Sequence, residues 1–229
     1  MDHRRKNDSP ESRQEMVGEL CRAYAAALLT GDEVAAEIAI REAIEAKVST
    51  AEIDDDIIAP ALWYVGELWE RGEISIADEH LATEITIRVL ALQREARRLE
   101  RARSDNRVML ATPAGEQHVV ALRMAADLLR EAGYGLMMLG ADVPSGALAA
   151  SACRHEPSVI CLSATMPGGG DRVLMAIHDV QLVWPAARFV VGGRGVSSRV
   201  RSQPGIEVCR GVSEVVEAVD AMVKRADTN

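Results

Sequence analysis

Apolar positions recur along the chain with two different rhythms, and the change falls near residue 104. In the first part the spacing is helical. Ser9-Pro10-Glu11 offers a cap, a proline at the first helical position and an acidic first turn, so a helix is expected over about 10–29, closing near Gly31. Asp32 is placed to cap a second helix to about residue 47. Ser49 with Glu52 three residues on is a capping-box pattern. It opens a third helix to about Arg71, with a distortion expected at Pro60 and a stop at Gly72. Ser75-Ile-Ala-Asp78 opens a fourth, long helix to about residue 101. Four helices joined by short turns predict an antiparallel bundle, and no internal repeat stands out.

The charged run from Arg94 to Asp105 finishes the last helix and reads as a linker. Beyond it, short apolar runs at 107–111, 135–139, 158–162, 188–192 and 206–209 alternate with helical patterns near 119–132, 145–154, 169–183, 195–202 and 213–226. Strands apolar on consecutive positions and separated by helices predict a parallel sheet covered on both faces. Five such units fit the flavodoxin-like strand order 2-1-3-4-5, in which strands 1 and 3 flank the switch point where open α/β sheets bind ligands. The expected architecture is therefore α + α/β: residues 1–9 a disordered N-terminus, 10–103 a four-helix bundle, and 104–229 a Rossmann-like domain with a five-stranded parallel sheet.

Charge narrows the function. The net charge is −9, with −8 in residues 1–103 and −1 in 104–229, so neither half has the basic excess that phosphate-backbone binding requires. Direct nucleic-acid binding is not expected. The four cysteines, at 21, 153, 161 and 209, form no Cys-x-x-Cys, which fits packing cysteines in a reduced, cytoplasmic chain. The N-terminus lacks the apolar core of a signal peptide, and no window approaches the roughly 18 apolar residues of a membrane span. Aromatics are only 3%, so each of the three tryptophans calls for an explanation.

The chemistry concentrates in three loops that this topology brings to one end of the sheet. Strand 1 leads into Thr112-Pro-Ala-Gly-Glu-Gln-His-Val-Val-Ala121, which places His118 on a strand-to-helix loop with Glu116 two residues before it. A carboxylate there can hold one ring nitrogen and leave the other to bind a metal. Taken alone, the pair also fits a surface histidine beside a solvated carboxylate. Strand 3 ends in Cys161-Leu-Ser163-Ala-Thr165, and strand 4 in Val190-Val-Gly192-Gly193. Small residues at all three ends leave room for a ligand, and Ser163 and Thr165 supply hydroxyls.

Glu116-x-His118-x-x-Ala121, then Ser163-x-Thr165, then Gly192-Gly193 resembles the Asp-x-His-x-x-Gly, Ser-x-Leu/Thr, Gly-Gly signature of cobalamin-binding domains. The resemblance implies that His118 is the lower ligand of cobalt, with Gln117 and Val119 beside it. It also implies that the cofactor's displaced nucleotide tail lies in a slot lined by Ser163, Thr165, Gly192 and Gly193. A neutral imidazole is a good borderline ligand for cobalt, and a carboxylate partner raises its basicity. Two positions depart from the pattern, Glu116 for Asp and Ala121 for Gly.

The helical half resembles the cap of light-sensing adenosylcobalamin repressors, which carries Trp-x(9)-Glu-His. Here Trp69 is followed after nine residues by Glu79-His80. The resemblance implies that Trp69 shields the upper face of the corrin, that Glu79 binds the adenosyl ribose, and that His80 stands near. Those repressors carry a DNA-binding domain ahead of the bundle, whereas about ten polar residues precede it here. Some also have a histidine directly after the tryptophan, which becomes the upper cobalt ligand after photolysis; this chain has Glu70 there, and the resemblance leaves His80 as the nearby substitute candidate. His3, His155 and His178 match nothing in the family and are expected on the surface; Trp63 and Trp184 are expected to pack.

The resemblance thus points to a cobalamin-binding sensor without a catalytic centre of its own. Adenosylcobalamin is the favoured form and methylcobalamin the alternative. A linear tetrapyrrole (bilin) is a second chromophore in some relatives. Output would pass to a separate signalling protein or through a homo-oligomer. The alternative class is a corrinoid carrier protein for a methyltransferase. A phospho-receiver shares the sheet order but needs an acidic pair after strand 1 and an aspartate after strand 3, where this chain has Thr112-Pro113 and Ser163-Ala164-Thr165.

Overall fold

The computed structural model describes residues 10–96, 104–203 and 205–227. The cap expected at Ser9, the helix end expected near residue 101, most of the linker and His3 lie outside them. The chain divides into two compact units, Met1–Arg97 and Arg98–Asn229.

The first unit holds helices α1 (Pro10–Thr30), α2 (Glu33–Glu45), α3 (Thr50–Glu52), α4 (Ala59–Glu70) and α5 (Ile76–Ala96), with a π-helical segment, Ile53–Ile58, joining α3 to α4. α3, the π segment and α4 run on without a break as one helical rod, so the unit is a four-helix bundle. Val17, Leu20, Tyr24 and Leu28 put a helical-period stripe of α1 inside, against α2, α4 and α5. The buried Tyr24 hydroxyl donates to Thr86 Oγ1 at 3.0 Å, so the largest polar group of this core is satisfied across helices. Asp32 caps α2 by accepting from Ala35 N at 2.9 Å. Ser49 and Glu52 form the reciprocal capping box, and Glu52 also takes Arg13 of α1 at 2.9 Å.

The distortion foreseen at Pro60 lies on its N-terminal side. Pro60 has no N–H for the Asp56 carbonyl, and its ring would crowd that carbonyl in a regular helix. The helix widens instead, and Ala59 N donates to Asp54 O, five residues back. Trp63 departs from expectation: buried Ala61, Val65 and Leu68 define the inner stripe of α4, which leaves Trp63 46% exposed on the opposite side.

The second unit is a parallel sheet in the order β2-β1-β3-β4-β5. Its elements are β1 (Arg107–Pro113), α6 (Val120–Glu131), β2 (Gly135–Val143), α7 (Ser145–His155), β3 (Val159–Ser163), α8 (Gly169–Val183), β4 (Phe189–Gly192), α9 (Ser198–Arg201), β5 (Ile206–Val208), a 3-10 turn (Val212–Glu214) and α10 (Val215–Asp227). Met109, Ala111, Ile160, Leu162, Phe189 and Val191 alternate along three central strands and meet α7 and α8 on one face. The other face is covered by α6 and α10. Trp184 packs against this core as expected, and the exposed His178 and half-buried His155 are surface groups.

Two expectations change here. The β2 strand is longer than the apolar run 135–139 and only half-buried, because it is the edge strand. Of the cysteines, Cys161 and Cys209 are buried and Cys21 half-buried, but Cys153 is exposed near the end of α7.

Candidate functional site

The C-terminal ends of β1, β3 and β4 are neighbours, and Ser163 at the end of β3 sits in register with Gly192 at the end of β4. The loop from β1 to α6 turns back at once: Glu116 N donates to Pro113 O at 3.0 Å, with Gly115 at φ 77°. This turn carries the Glu116 side chain into the interior, where it is fully buried.

Four N–H groups meet that carboxylate. Oε1 accepts from His118 Nδ1 at 2.6 Å and from His118 N at 3.1 Å. Oε2 accepts from Thr165 N at 2.8 Å and Met166 N at 3.1 Å, both in the loop after β3. Burial by itself raises a carboxyl pKa. Here the bonds from the His118 ring and from Met166, Thr165 and His118 N–H outweigh it and hold Glu116 at about 2. Glu116, standing where the cobalamin-binding signature has aspartate, thus spans two loops with one carboxylate. With Nδ1–H committed to Glu116, the lone pair of the imidazole is on Nε2, and the side chain is 42% exposed. That tautomer is the one a metal-binding histidine needs.

Ser163 is 6% exposed, and its Oγ has no hydrogen-bond partner among the described residues. A buried hydroxyl without a partner costs about 1–3 kcal/mol, so a ligand that bonds it gains correspondingly. The glycines divide by cause. A Cβ on Gly192 would meet only Cys209 Cβ, at 3.9 Å, so the protein leaves that space open. A Cβ on Gly193, at φ 105°, would fall 2.2 Å from Ala164 O, and one on Gly195 would fall 2.3 Å from Met166 O. Those two glycines serve the stacking of one loop on the other, which Ala164 N→Gly192 O (3.0 Å) and Gly195 N→Ala164 O (2.9 Å) fasten. Ala121 lies half-buried in the first turn of α6, Gln117 is exposed, Val119 is half-buried, and Thr165 is half-buried with its N–H taken by Glu116.

Two residues of this site carried no sequence signal. The Thr112 hydroxyl donates to Glu116 O at 2.5 Å, and Asp142 at the end of β2 accepts from Gly115 N at 2.7 Å. Both act on backbone, which no side-chain motif records.

The remaining candidates belong to the first unit. Trp69 is half-buried in the last turn of α4, and its carbonyl accepts from Gly72 N at 2.9 Å as the helix ends. Glu79, near the start of α5, accepts from His80 Nδ1 at 2.7 Å and Thr83 Oγ1 at 3.1 Å, with its side chain 18% exposed; His80 is exposed.

This donor set fits a corrinoid: an imidazole held in the ligating tautomer, an unpartnered buried hydroxyl and an open glycine beside it. Comparison with known proteins agrees. The B12 binding domain family matches the chain twice, over residues 20–93 and over 106–220. The HTH-type transcriptional repressor CarH of Myxococcus xanthus is 34% identical over 109 residues, 48% of this chain and 36% of that protein. The HTH-type transcriptional repressor CarA of the same organism is 28% identical over 129 residues, 56% of this chain and 44% of that one. The chain thus spans less than half the length of either repressor. Trimethylamine corrinoid protein 2 of Methanosarcina acetivorans is 28% identical over 205 residues, 84% of this chain and 91% of that one. Among solved structures, the Methanosarcina barkeri monomethylamine corrinoid protein shares the fold, with a TM-score of 0.72 over 93% of this chain and 99% of that one at 18% identity. The chain belongs to the B12 binding domain family and is a cobalamin-binding protein.

Proposed function

Proceeding from that membership, we propose that His118 is the protein ligand to cobalt and that the chain is a light-responsive adenosylcobalamin sensor. The observation that carries the ligand assignment is the buried Glu116 carboxylate, 2.6 Å from His118 Nδ1. It holds the proton on that nitrogen and keeps the Nε2 lone pair for the metal. Ser163 Oγ and the open side of Gly192 receive the nucleotide tail. The short reach between the loops after β1 and β3, bridged by Glu116, keeps the imidazole and the slot in fixed relation.

The sensor reading rests on Trp69, Glu79 and His80 in their spacing and on the resemblance that spacing carries. Bound adenosylcobalamin supplies a cobalt–carbon bond that light breaks. Trp69 excludes water from the adenosyl side, and Glu79 accepts from the ribose hydroxyls. Loss of those contacts changes the bundle's preferred state, which gives the two populations a switch requires. A separate protein or a second copy of the chain reads the change.

A second reading, a corrinoid carrier serving a methyltransferase, is favoured by one observation: the similarity to trimethylamine corrinoid protein 2 extends over 84% of this chain and 91% of that protein. Scattering mass and elution volume of the adenosylcobalamin-loaded protein separate the two. The sensor reading predicts a difference between darkness and green light. Identical values in both, with the methyl group of methylcobalamin passing to an added thiol, as its methyl thioether, only when a corrinoid:thiol methyltransferase is present, would replace it with the carrier reading.

A further inference from the structure

The edge strand beside the site is irregular in a directed way. Leu110 pairs with Met138, but Ala111 pairs with Gly140 and Pro113 with Val143, so β2 carries two extra residues against β1 near its C-terminal end. Such bulges bend a strand and re-aim its side chains. Gly140 takes φ 90°, as glycine readily does, but Asp142 takes φ 53°, a conformation that costs a residue with a Cβ free energy.

That conformation places two groups of Asp142, its carboxylate and its N–H, on the loop of His118. Asp142 Oδ1 accepts from Gly115 N at 2.7 Å. Asp142 N donates to Glu116 O at 3.0 Å and to Thr112 Oγ1 at 3.1 Å, and Thr112 Oγ1 donates to Glu116 O. Glu116 is therefore held at both ends. Its carboxylate is held by the loop after β3, and its carbonyl by Thr112 and Asp142. Gly115, one residue earlier, is held by the Asp142 side chain. The His118 ring is tied to this clamp through Glu116 Oε1.

We propose that Asp142 is a positioning residue for the cobalt ligand: its side chain fastens Gly115, and so fixes where Glu116 presents His118. The inference rests on His118 being that ligand. Aspartate suits the place for two reasons that substitution separates. Asn tolerates the same φ and keeps a side-chain acceptor; Gly takes the φ without strain but has no acceptor.

The experiment compares wild type, Asp142→Asn, Asp142→Gly and His118→Ala in two readouts. The first is amide exchange at Gly115 in the cofactor-free protein. The second is aquacobalamin titration, followed by the absorbance change that accompanies replacement of the cofactor's own base by a protein nitrogen. Asp142→Gly is expected to speed Gly115 exchange and weaken the histidine-ligated complex, each about fivefold, for the loss of one ordinary hydrogen bond at an exposed site. Asp142→Asn is expected to match wild type in both. Asp142→Gly behaving as wild type, or Asp142→Asn failing as badly as Asp142→Gly, would overturn the proposal. A His118→Ala spectrum equal to wild type would instead refute the ligand assignment, and Gly115 exchange alone would then judge the clamp.

Discussion

Replacing Glu116 with Gln removes one charge and leaves the shape. The carboxylate has no exposure and accepts four N–H groups, two on each oxygen. A carboxamide offers one acceptor and one donor in the same space. If its oxygen keeps Thr165 N and Met166 N, its NH2 faces His118 N–H, which is then left unpaired. The ring must also turn its Nδ1 lone pair inward and put its proton on Nε2, where it blocks metal binding. The size comes from the depression of the Glu116 pKa from 4.5 to about 2, which corresponds to roughly 3 kcal/mol of stability at neutral pH. The sign is that of a lowered carboxyl: the contribution is complete above pH 4.5 and is lost as pH falls through that window toward 2. Urea unfolding of the cofactor-free protein at a series of pH values is the assay. Wild type is expected to lose about 3 kcal/mol of stability relative to Glu116→Gln between pH 6 and pH 2, the two converging in acid. Cobalamin affinity should fall about 10–100-fold at pH 7, the usual cost of losing a partner of a ligating histidine. Equal stability of the two proteins at pH 6, or an unchanged affinity, would refute the argument.

Ser163→Ala removes an unpartnered buried hydroxyl, so the cofactor-free protein should be as stable as wild type or about 1 kcal/mol more stable by urea unfolding, while cobalamin binds more weakly in titration. Gly192→Ala should leave unfolding unchanged but lower the affinity for cobalamin more than for cobinamide, which lacks the nucleotide tail. Gly193→Ala should cost about 2–4 kcal/mol of stability without any ligand, because its Cβ would meet Ala164 O at 2.2 Å in a left-handed backbone. Trp69→Ala should still bind cobalamin in equilibrium titrations but lose preference for the adenosyl over the aqua form.

Much of this protein is legible in its sequence because its periodicities are local. Consecutive apolar residues such as Val108 to Ala111 announce a strand buried on both faces, and all four are buried. Asp32 and the Ser49–Glu52 box announce helix starts within four residues of themselves. The Glu116–His118 pair is equally local. The features that stayed hidden depend on residues far apart in the chain. Gly193 reads as space for a ligand, yet the group that demands glycine is the backbone of Ala164. Asp142 reads as an ordinary residue before Val143-Pro144; its partners Gly115 and Thr112 lie 27 and 30 residues earlier. Trp63 reads as core because tryptophan usually packs, but the stripe of Ala61, Val65 and Leu68 leaves it outside.

The ligand assignment has one direct measurement. Cobalt(II) cobalamin bound to uniformly 15N-labelled protein is examined by electron paramagnetic resonance. A protein nitrogen on cobalt splits each cobalt line into a doublet, since 15N has spin one-half, whereas the unlabelled base of the cofactor itself splits it into a triplet. With His118 on cobalt, the wild type gives a doublet that disappears in His118→Ala. A triplet in the labelled wild type, or a doublet that survives in His118→Ala, would contradict it.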